Sequence, residues 1–388
     1  MNRRKLRAGF ILCTSLLIPA MCAAQEIAKE HVIGQLELVA KFDGPMPTGV
    51  TVANDGRIFV NFPRWGDNVD YTVAEVKDGK TFAYPNAEIN RYAAGDQLDE
   101  KFVSVQSVVV DPSGEKLWVL DTGSIQFGPV KPGGPKLLGI DLRTNQIVKK
   151  IVFPGSIAPA TSYLNDVRFD MHRGAAGTAF ITDSSLSGAN GIIVVDLASG
   201  ESWRRLNDHP STKADPAFVP IVEGEDLQMR LPGQPPAKFA VGSDGIAISP
   251  DGRILYYCPL TSRHLYSVSA DALADRTVSD ADVAATVKDL GEKGGGGDGL
   301  ESDTQGRVYI SDYEHNAIRR RDLQGEMETL VHDPRVLWPD TLSLASNGYL
   351  YFIVNQIERQ GIFHNGQDLR KKPYALFRVK VDGSRIQN

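Results

Sequence analysis

The chain is poor in cysteine. It has three, and two of them, Cys13 and Cys22, fall in an N-terminal stretch that reads as a removable leader. Cys258 alone can form neither an intramolecular disulfide nor a cysteine-based metal site. It sits in the apolar run 254–258 and reads as a small core residue. Beyond the N-terminus no apolar run is long enough to span a bilayer. Basic charge is not in excess, the formal net charge being −6, which argues against nucleic acid or an anionic membrane surface as a partner. The seven histidines show no H-x-x-x-H spacing, and there is no G-x-S-x-G elbow or triad-like grouping. A serine-type hydrolase is therefore disfavoured. The glycine run 293–297 lacks the Lys-Ser/Thr and the following helix of a phosphate loop, so it reads as a flexible strand connection.

What is present begins with that leader. Arg3, Arg4, Lys5 and Arg7 precede the apolar stretch 8–17, and Cys22-Ala23-Ala24 supplies small residues for cleavage. Residues 1–24 are expected to be a secretory signal peptide. Met21 disfavours a lipoprotein anchor on Cys22, and Arg7 disfavours a twin-arginine signal. Cleavage removes four basic residues and no acidic ones, taking the charge from −6 to −10. A periplasmic or secreted location follows, with residues 25–388 forming a single domain, expected to be monomeric and free of membrane after cleavage.

The 37 glycines and 22 prolines supply the turns of an all-β chain. In 241–268 a short strand, a Pro250-Asp251-Gly252 turn and two further strands follow one another. Five other stretches repeat the plan, with turn glycines at 56, 114, 174, 306 and 348. Six copies of three or four short strands predict a six-bladed β-propeller. Residues 32–42 alternate like a strand but precede the first copy. They are expected to supply the outer strand of the last blade and close the circle. The longest interval, between the third and fourth copies, contains His209-Pro210 and a proline-rich run, 231–237, and is expected to be an insertion over one mouth of the channel.

In five copies a polar residue stands eight positions before the turn glycine: Thr48, Gln106, Asp244, Asp298 and Asp340. In the third copy the same count selects Asp166, but the apolar phase of Val167 and Phe169 selects Asn165. Side chains alternate faces along a strand, so phase decides for Asn165. These six residues are predicted to ring the channel and to contact a small-molecule ligand. Asn165, Asp244 and Asp298 are the candidate ligands for a divalent cation, Ca²⁺ or Mg²⁺. The alternative is that each acid bonds backbone N–H groups and joins neighbouring blades. A second polar set, Asn61, Asp121, Asp183, Asp312 and Asn355, is expected to cap loops. Trp65 and Trp338 are candidates to present aromatic faces at the mouth or else to pack in the core.

Pro63-Arg64-Trp65, the run 117–123 (LWVLDTG), Leu164-Asn165-Asp166-Val167, Leu260-Thr261-Ser262-Arg263 and Trp338-Pro339-Asp340-Thr341-Leu342 occur in the order seen in the yellow/major royal jelly protein family, which the chain resembles from about residue 36 to 381. That resemblance implies a secreted six-bladed propeller. Its relatives include dopachrome-conversion enzymes, pigmentation and nutrient proteins, and salivary binders of biogenic amines; bacterial relatives are labelled L-dopachrome tautomerase-related. The paired cysteines of animal members are missing here. A more distant similarity, carried by Asn165-Asp166, Asp244-Gly245 and Asp298-Gly299, is to gluconolactonase/regucalcin-like propellers, and it implies a divalent metal. Thr48 stands where those proteins place a glutamate. The sequence thus supports a channel that binds a small molecule or, alternatively, an isomerase or metal-dependent lactonase acting at Asn165, Asp244 and Asp298.

Overall fold

The computed structural model describes residues 32–387. The predicted leader, 1–24, lies outside the described residues. Six four-stranded antiparallel sheets, each running from an inner to an outer strand, form the expected six-bladed β-propeller. The inner strands are Gly49–Val52, Val105–Val110, Leu164–Asp170, Ser243–Ile248, Gly297–Ser302 and Pro339–Leu344. The circle closes as expected, because Leu36–Phe42 is the outer strand of blade six and pairs antiparallel with Tyr374–Lys380, from Leu36↔Val379 to Phe42↔Tyr374. A propeller blade exposes an edge only at its rim, and this pairing fastens the two ends of the ring together.

Inner strands are buried on both faces, as in Ser243–Ile248, because neighbouring blades cover them. Outer strands are half-exposed, as in Gln146–Val152. The core lies between blades: Trp118 of blade two stacks on Phe169 of blade three, with ring centroids 5.2 Å apart, while its indole N–H donates to Asp111 at 3.0 Å. Cys258 is buried there as read, and burial pushes its thiol up to about 11.

The turn glycines that mark the repeat share one conformation. Gly56, Gly114, Gly174, Gly252, Gly306 and Gly348 all have φ between 70° and 87°, a region costly for residues with a Cβ. In blade three the turn occupies residues 171–177, against 249–253 in blade four, and carries a second left-handed glycine, Gly177. The ladder shows the offset: Val167, paired with Ile181, stands seven residues before Gly174, whereas Ile246, paired with Tyr257, stands six before Gly252, so Asn165 and not Asp166 is the register equivalent of Asp244.

Two features close the channel ends. The long interval carries two short hairpins, Ile221–Val222 with Glu225–Asp226 and Gln228–Met229 with Ala237–Lys238. At the far ends of the inner strands, Arg385 from the C-terminal tail donates to the carbonyls of Val52, Val110 and Asp111. There Arg168 spans from Asp166 (2.9 Å) to the Leu300 carbonyl (2.6 Å).

The closure has a direct test. Phe42 is buried and packs edge-on against Phe62 at 5.9 Å. Phe42→Ala is expected to lower unfolding free energy by about 3–5 kcal/mol in denaturant titration, whereas truncation of exposed Leu38 should cost under about 1 kcal/mol.

Candidate functional site

Five inner strands carry one residue more than the strand beside them at their channel entrance. Ser243 pairs with Pro259 but Ile246 with Tyr257. The same slip separates Leu164 from Val167, Gly297 from Leu300, Pro339 from Leu342 and Val105 from Ser107. Such a bulge re-aims the side chain it carries. The bulged residues include Gln106, Asn165, Asp244, Asp298 and Asp340, and these five side chains line one cavity of about 250 Å³. Thr48 does not join them. Blade one has a regular ladder from Gly49↔Asn61 onward, and the Thr48 hydroxyl instead accepts from Asn61 Nδ2 at 2.8 Å and faces the Gln106 carbonyl at 3.4 Å.

The Asp-Gly pairs follow from the same crowding. A Cβ on Gly245 would lie 2.3 Å from the Asp298 carbonyl oxygen, and one on Gly299 would lie 2.5 Å from the Asp340 carbonyl oxygen. Each glycine lets the next inner strand approach.

The three acids are almost wholly buried, Asp244 at 4%, Asp298 at 7% and Asp340 at 4% exposure. Asp298 Oδ2 accepts the Trp338 indole N–H at 2.7 Å. Asp340 Oδ2 accepts Asn355 Nδ2 at 2.7 Å. Asp244 Oδ2 lies 3.2 Å from the Ser184 hydroxyl, which also receives Asn165 Nδ2 at 2.8 Å. Asp244 and Asp298 line the cavity together and act on each other, Asp298 raising Asp244 and Asp244 holding Asp298 back. Burial, reinforced by the charges of Asp298 and Asp340, pushes Asp244 well above the usual carboxylate range. Asp340 is raised likewise by burial and by Asp298. Asp298 is pushed up to about 6 by burial, held back by its bond from Trp338 and by Asp244. Three acids in one dry cavity cannot all ionise without a counter-charge.

Aromatic rings form the opposite wall. The Trp65 indole donates to the Tyr163 hydroxyl at 2.7 Å, and that hydroxyl donates to Gln106 Oε1 at 2.9 Å. Phe127 lies 4.9 Å from both the Trp65 and Tyr163 ring centroids and remains 41% exposed. Its loop passes through two successive left-handed residues, Gln126 (φ 51°) and Phe127 (φ 57°), which is uncommon outside glycine. Met229 and Phe239, from the insertion, complete the lining with Ile357 and Phe363.

Trp65 thus faces the cavity. Trp338 is fully buried and stacks on Tyr313 at 4.2 Å, so its contribution is the bond to Asp298 rather than an open face. Four of the second polar set cap loops: Asp121 accepts from the backbone of Val103 and Ser104, Asp183 from Tyr163, Asp312 from Glu314 and Asn355 from Ile357, whereas Asn61 instead donates to Thr48 and to the Val105 and Gln106 carbonyls of the next blade. Asn355 has the added role of holding Asp340. Tyr163, Phe127 and Ser184 carried no repeat signal.

The major royal jelly protein model matches residues 103–383. The chain belongs to that family. Among curated relatives of this royal jelly family member, major royal jelly protein 7 of Apis mellifera is 30% identical over 172 residues, covering 43% of this chain and 35% of the relative. Protein yellow of Drosophila guanche is 27% identical over 244 residues, 60% of this chain and 40% of the relative. The aligned region thus spans well under half the length of either relative. Among solved structures, the calcium-binding protein regucalcin of Agrobacterium tumefaciens superposes with a TM-score of 0.53 at 14% identity, over 90% of this chain and 98% of that one. A gluconolactonase of Xanthomonas campestris gives 0.52 at 13%, covering 89% of each chain. At such identities these neighbours establish the fold alone.

Asn165, Asp244 and Asp298, the residues expected to hold a divalent ion, line one cavity. Among the described residues no three His, Cys, Asp or Glu side chains are grouped to hold a metal ion. Asp298 Oδ2 accepts from Trp338, and Asn165 donates its amide N–H to Ser184, which leaves its amide oxygen for another partner.

An acid with a raised pKa in the folded state destabilises the fold once it ionises. For Asp298 that loss develops as pH rises from about 4, the unfolded value, to about 6. Asp298→Asn, which keeps an acceptor for Trp338, is expected to match the parent near pH 4. By pH 7 it should exceed the parent by up to about 3 kcal/mol. Denaturant titrations at the two pH values check it.

Proposed function

We propose that this family member is exported and binds a small organic cation with an aromatic body, such as an aromatic amine, in the cavity. The observation that carries the reading is the pairing of three buried acids with a wall of Trp65, Phe127 and Tyr163 in one enclosure. An ammonium group beside Asp244, Asp298 and Asp340 would supply the charge that lets a buried carboxyl ionise. The rings offer stacking surface to the rest of the ligand, and a cation near a ring face gains about 0.5–2 kcal/mol. Gln106 and Asn165 supply neutral polar contacts. The C-terminal closure at Arg385 favours access from the insertion side. The basic, then apolar, leader supports export, and among the described residues no helix is long and apolar enough to cross a membrane.

A second reading rests on one observation, the convergence of Asp244 and Asp298, both raised above the usual carboxylate range, on one cavity. One ionised and one protonated carboxyl, side by side, can take a proton from a carbon acid and return one elsewhere on the same molecule. That would be isomerase chemistry of the dopachrome-tautomerase kind. The lactonase alternative needs a metal, for which Asn165, Asp244 and Asp298 would be the donors.

Calorimetry against a panel of aromatic and aliphatic amines separates these readings. Binding is expected for aromatic amines. Asp244→Asn should weaken it at least tenfold, and Phe127→Ala about three- to tenfold. No heat with any amine, together with dopachrome turnover that Asp298→Asn abolishes, would replace the binder by the isomerase.

A further inference from the structure

One buried acid lies outside the cavity and has no role in it. Glu358 follows Gln356, whose φ is 62°, in the segment between the last two inner-to-outer crossings of blade six. Its side chain is 4% exposed, and neither carboxyl oxygen has a hydrogen-bond partner. It sits where the insertion is strapped to blade six. Arg230 N donates to the Ile362 carbonyl at 2.7 Å, and Asn365 N donates to the Arg230 carbonyl at 2.8 Å. Phe239 of the insertion packs edge-on against Phe363 at 5.1 Å. Both Met229 and Phe239 hang from this strap into the cavity.

The charged groups around Glu358 come from both sides of that junction. From blade six, Arg359 approaches only to 3.7 Å, because its guanidinium forks onto Glu223 of the insertion, Nε–Oε2 being 2.8 Å. His364 Nε2 is bound to the Glu358 carbonyl, not to its carboxyl, at 2.9 Å. From the insertion come Glu223, Glu225 and Asp226, with Arg230, whose guanidinium rests on the Asp226 carbonyl at 3.2 Å. Acids thus outnumber the cations that could face the carboxyl, and the one close cation is engaged elsewhere. Val222 and Leu227 supply apolar wall.

We propose that Glu358 is a proton latch for the insertion: the insertion stays docked while this carboxyl is protonated and is released as it ionises. A buried carboxylate that accepts no side-chain donor and faces Glu223, Glu225 and Asp226 is costly to ionise, and undocking hydrates it. The direction agrees, since burial and the nearby Glu223 push Glu358 from 4.5 up to about 7. The docked state binds the proton more tightly than the undocked one. Docking is therefore fully favoured below pH 4.5, weakens through pH 7 and levels off above it, a change in the docking equilibrium on the order of 10²-fold. The consequence for ligand access rests on the binding reading above; the latch itself needs no ligand.

Hydrogen exchange on the full chain without ligand tests it. Protection of the Arg230 and Asn365 amides, corrected for intrinsic exchange rates, is expected to fall on the order of 10²-fold between pH 5 and pH 8. Amides of the Gly297–Ser302 strand should not change. Glu358→Gln should hold protection flat across that range. Glu223→Gln, which frees Arg359 to pair with Glu358, should move the midpoint down. Flat protection in the parent, or an undiminished fall in Glu358→Gln, overturns the latch, and neither result touches the amine-binding reading. Should Glu358→Gln not fold, an unmoved midpoint in Glu223→Gln overturns it instead.

Discussion

Everything at the site depends on one extra residue in five inner strands. A regular ladder would hand each entrance residue a fixed face of the pleat. The bulges at Gln106, Asn165, Asp244, Asp298 and Asp340 instead turn polar side chains toward a common cavity. Blade one has no such slip, and there Thr48 is absorbed by Asn61 and the Gln106 carbonyl. The local twist of each strand therefore decides which polar residues are functional candidates and which are blade-to-blade ties.

Crowding acids into that enclosure is unfavourable unless something offsets it. Here protein donors do part of this, through Trp338, Asn355 and Ser184, while burial and the charges of Asp298 and Asp340 push Asp244 toward its protonated form. Glu358 shows the same physics without the donors: buried, unpartnered and raised. The two places differ in what could relieve them. The cavity has room for a cation to take the place of a proton. Around Glu358 stand further acids, Glu223, Glu225 and Asp226, and on the latch proposal relief there comes by separating insertion and blade.

The fold was legible because its repeat rests on local chemistry. Six turn glycines need left-handed backbone, and strand alternation located the copies and the closing strand at 36–42. Asn165 was recoverable against simple counting, because a side-chain face is set by phase and not by distance from a turn. Thr48 was misjudged because the absence of a bulge leaves no mark in composition or period. Trp338 could not be placed from sequence, since a tryptophan beside proline reads equally as a core or a rim residue. Phe127 and Tyr163 lie in loops, where no period exists to flag them, and the insertion's contact with blade six joins segments more than a hundred residues apart.

Asp244-Gly245 and Asp298-Gly299 also show that a motif shared with other propellers has a packing cause of its own. Each glycine is required by the approach of the next inner strand to within a Cβ's reach. Any propeller packed this closely at the bulge would favour glycine there, whatever its channel does. The informative positions are those that bond to the carboxyl oxygens. In this chain they are an indole N–H and an amide N–H, which favour the ionised form against the burial that raises Asp298 and Asp340. On the amine-binding proposal such a site would select ligands by charge before ring stacking, because ionising further carboxyls in a dry cavity requires a counter-charge that a neutral aromatic molecule cannot provide.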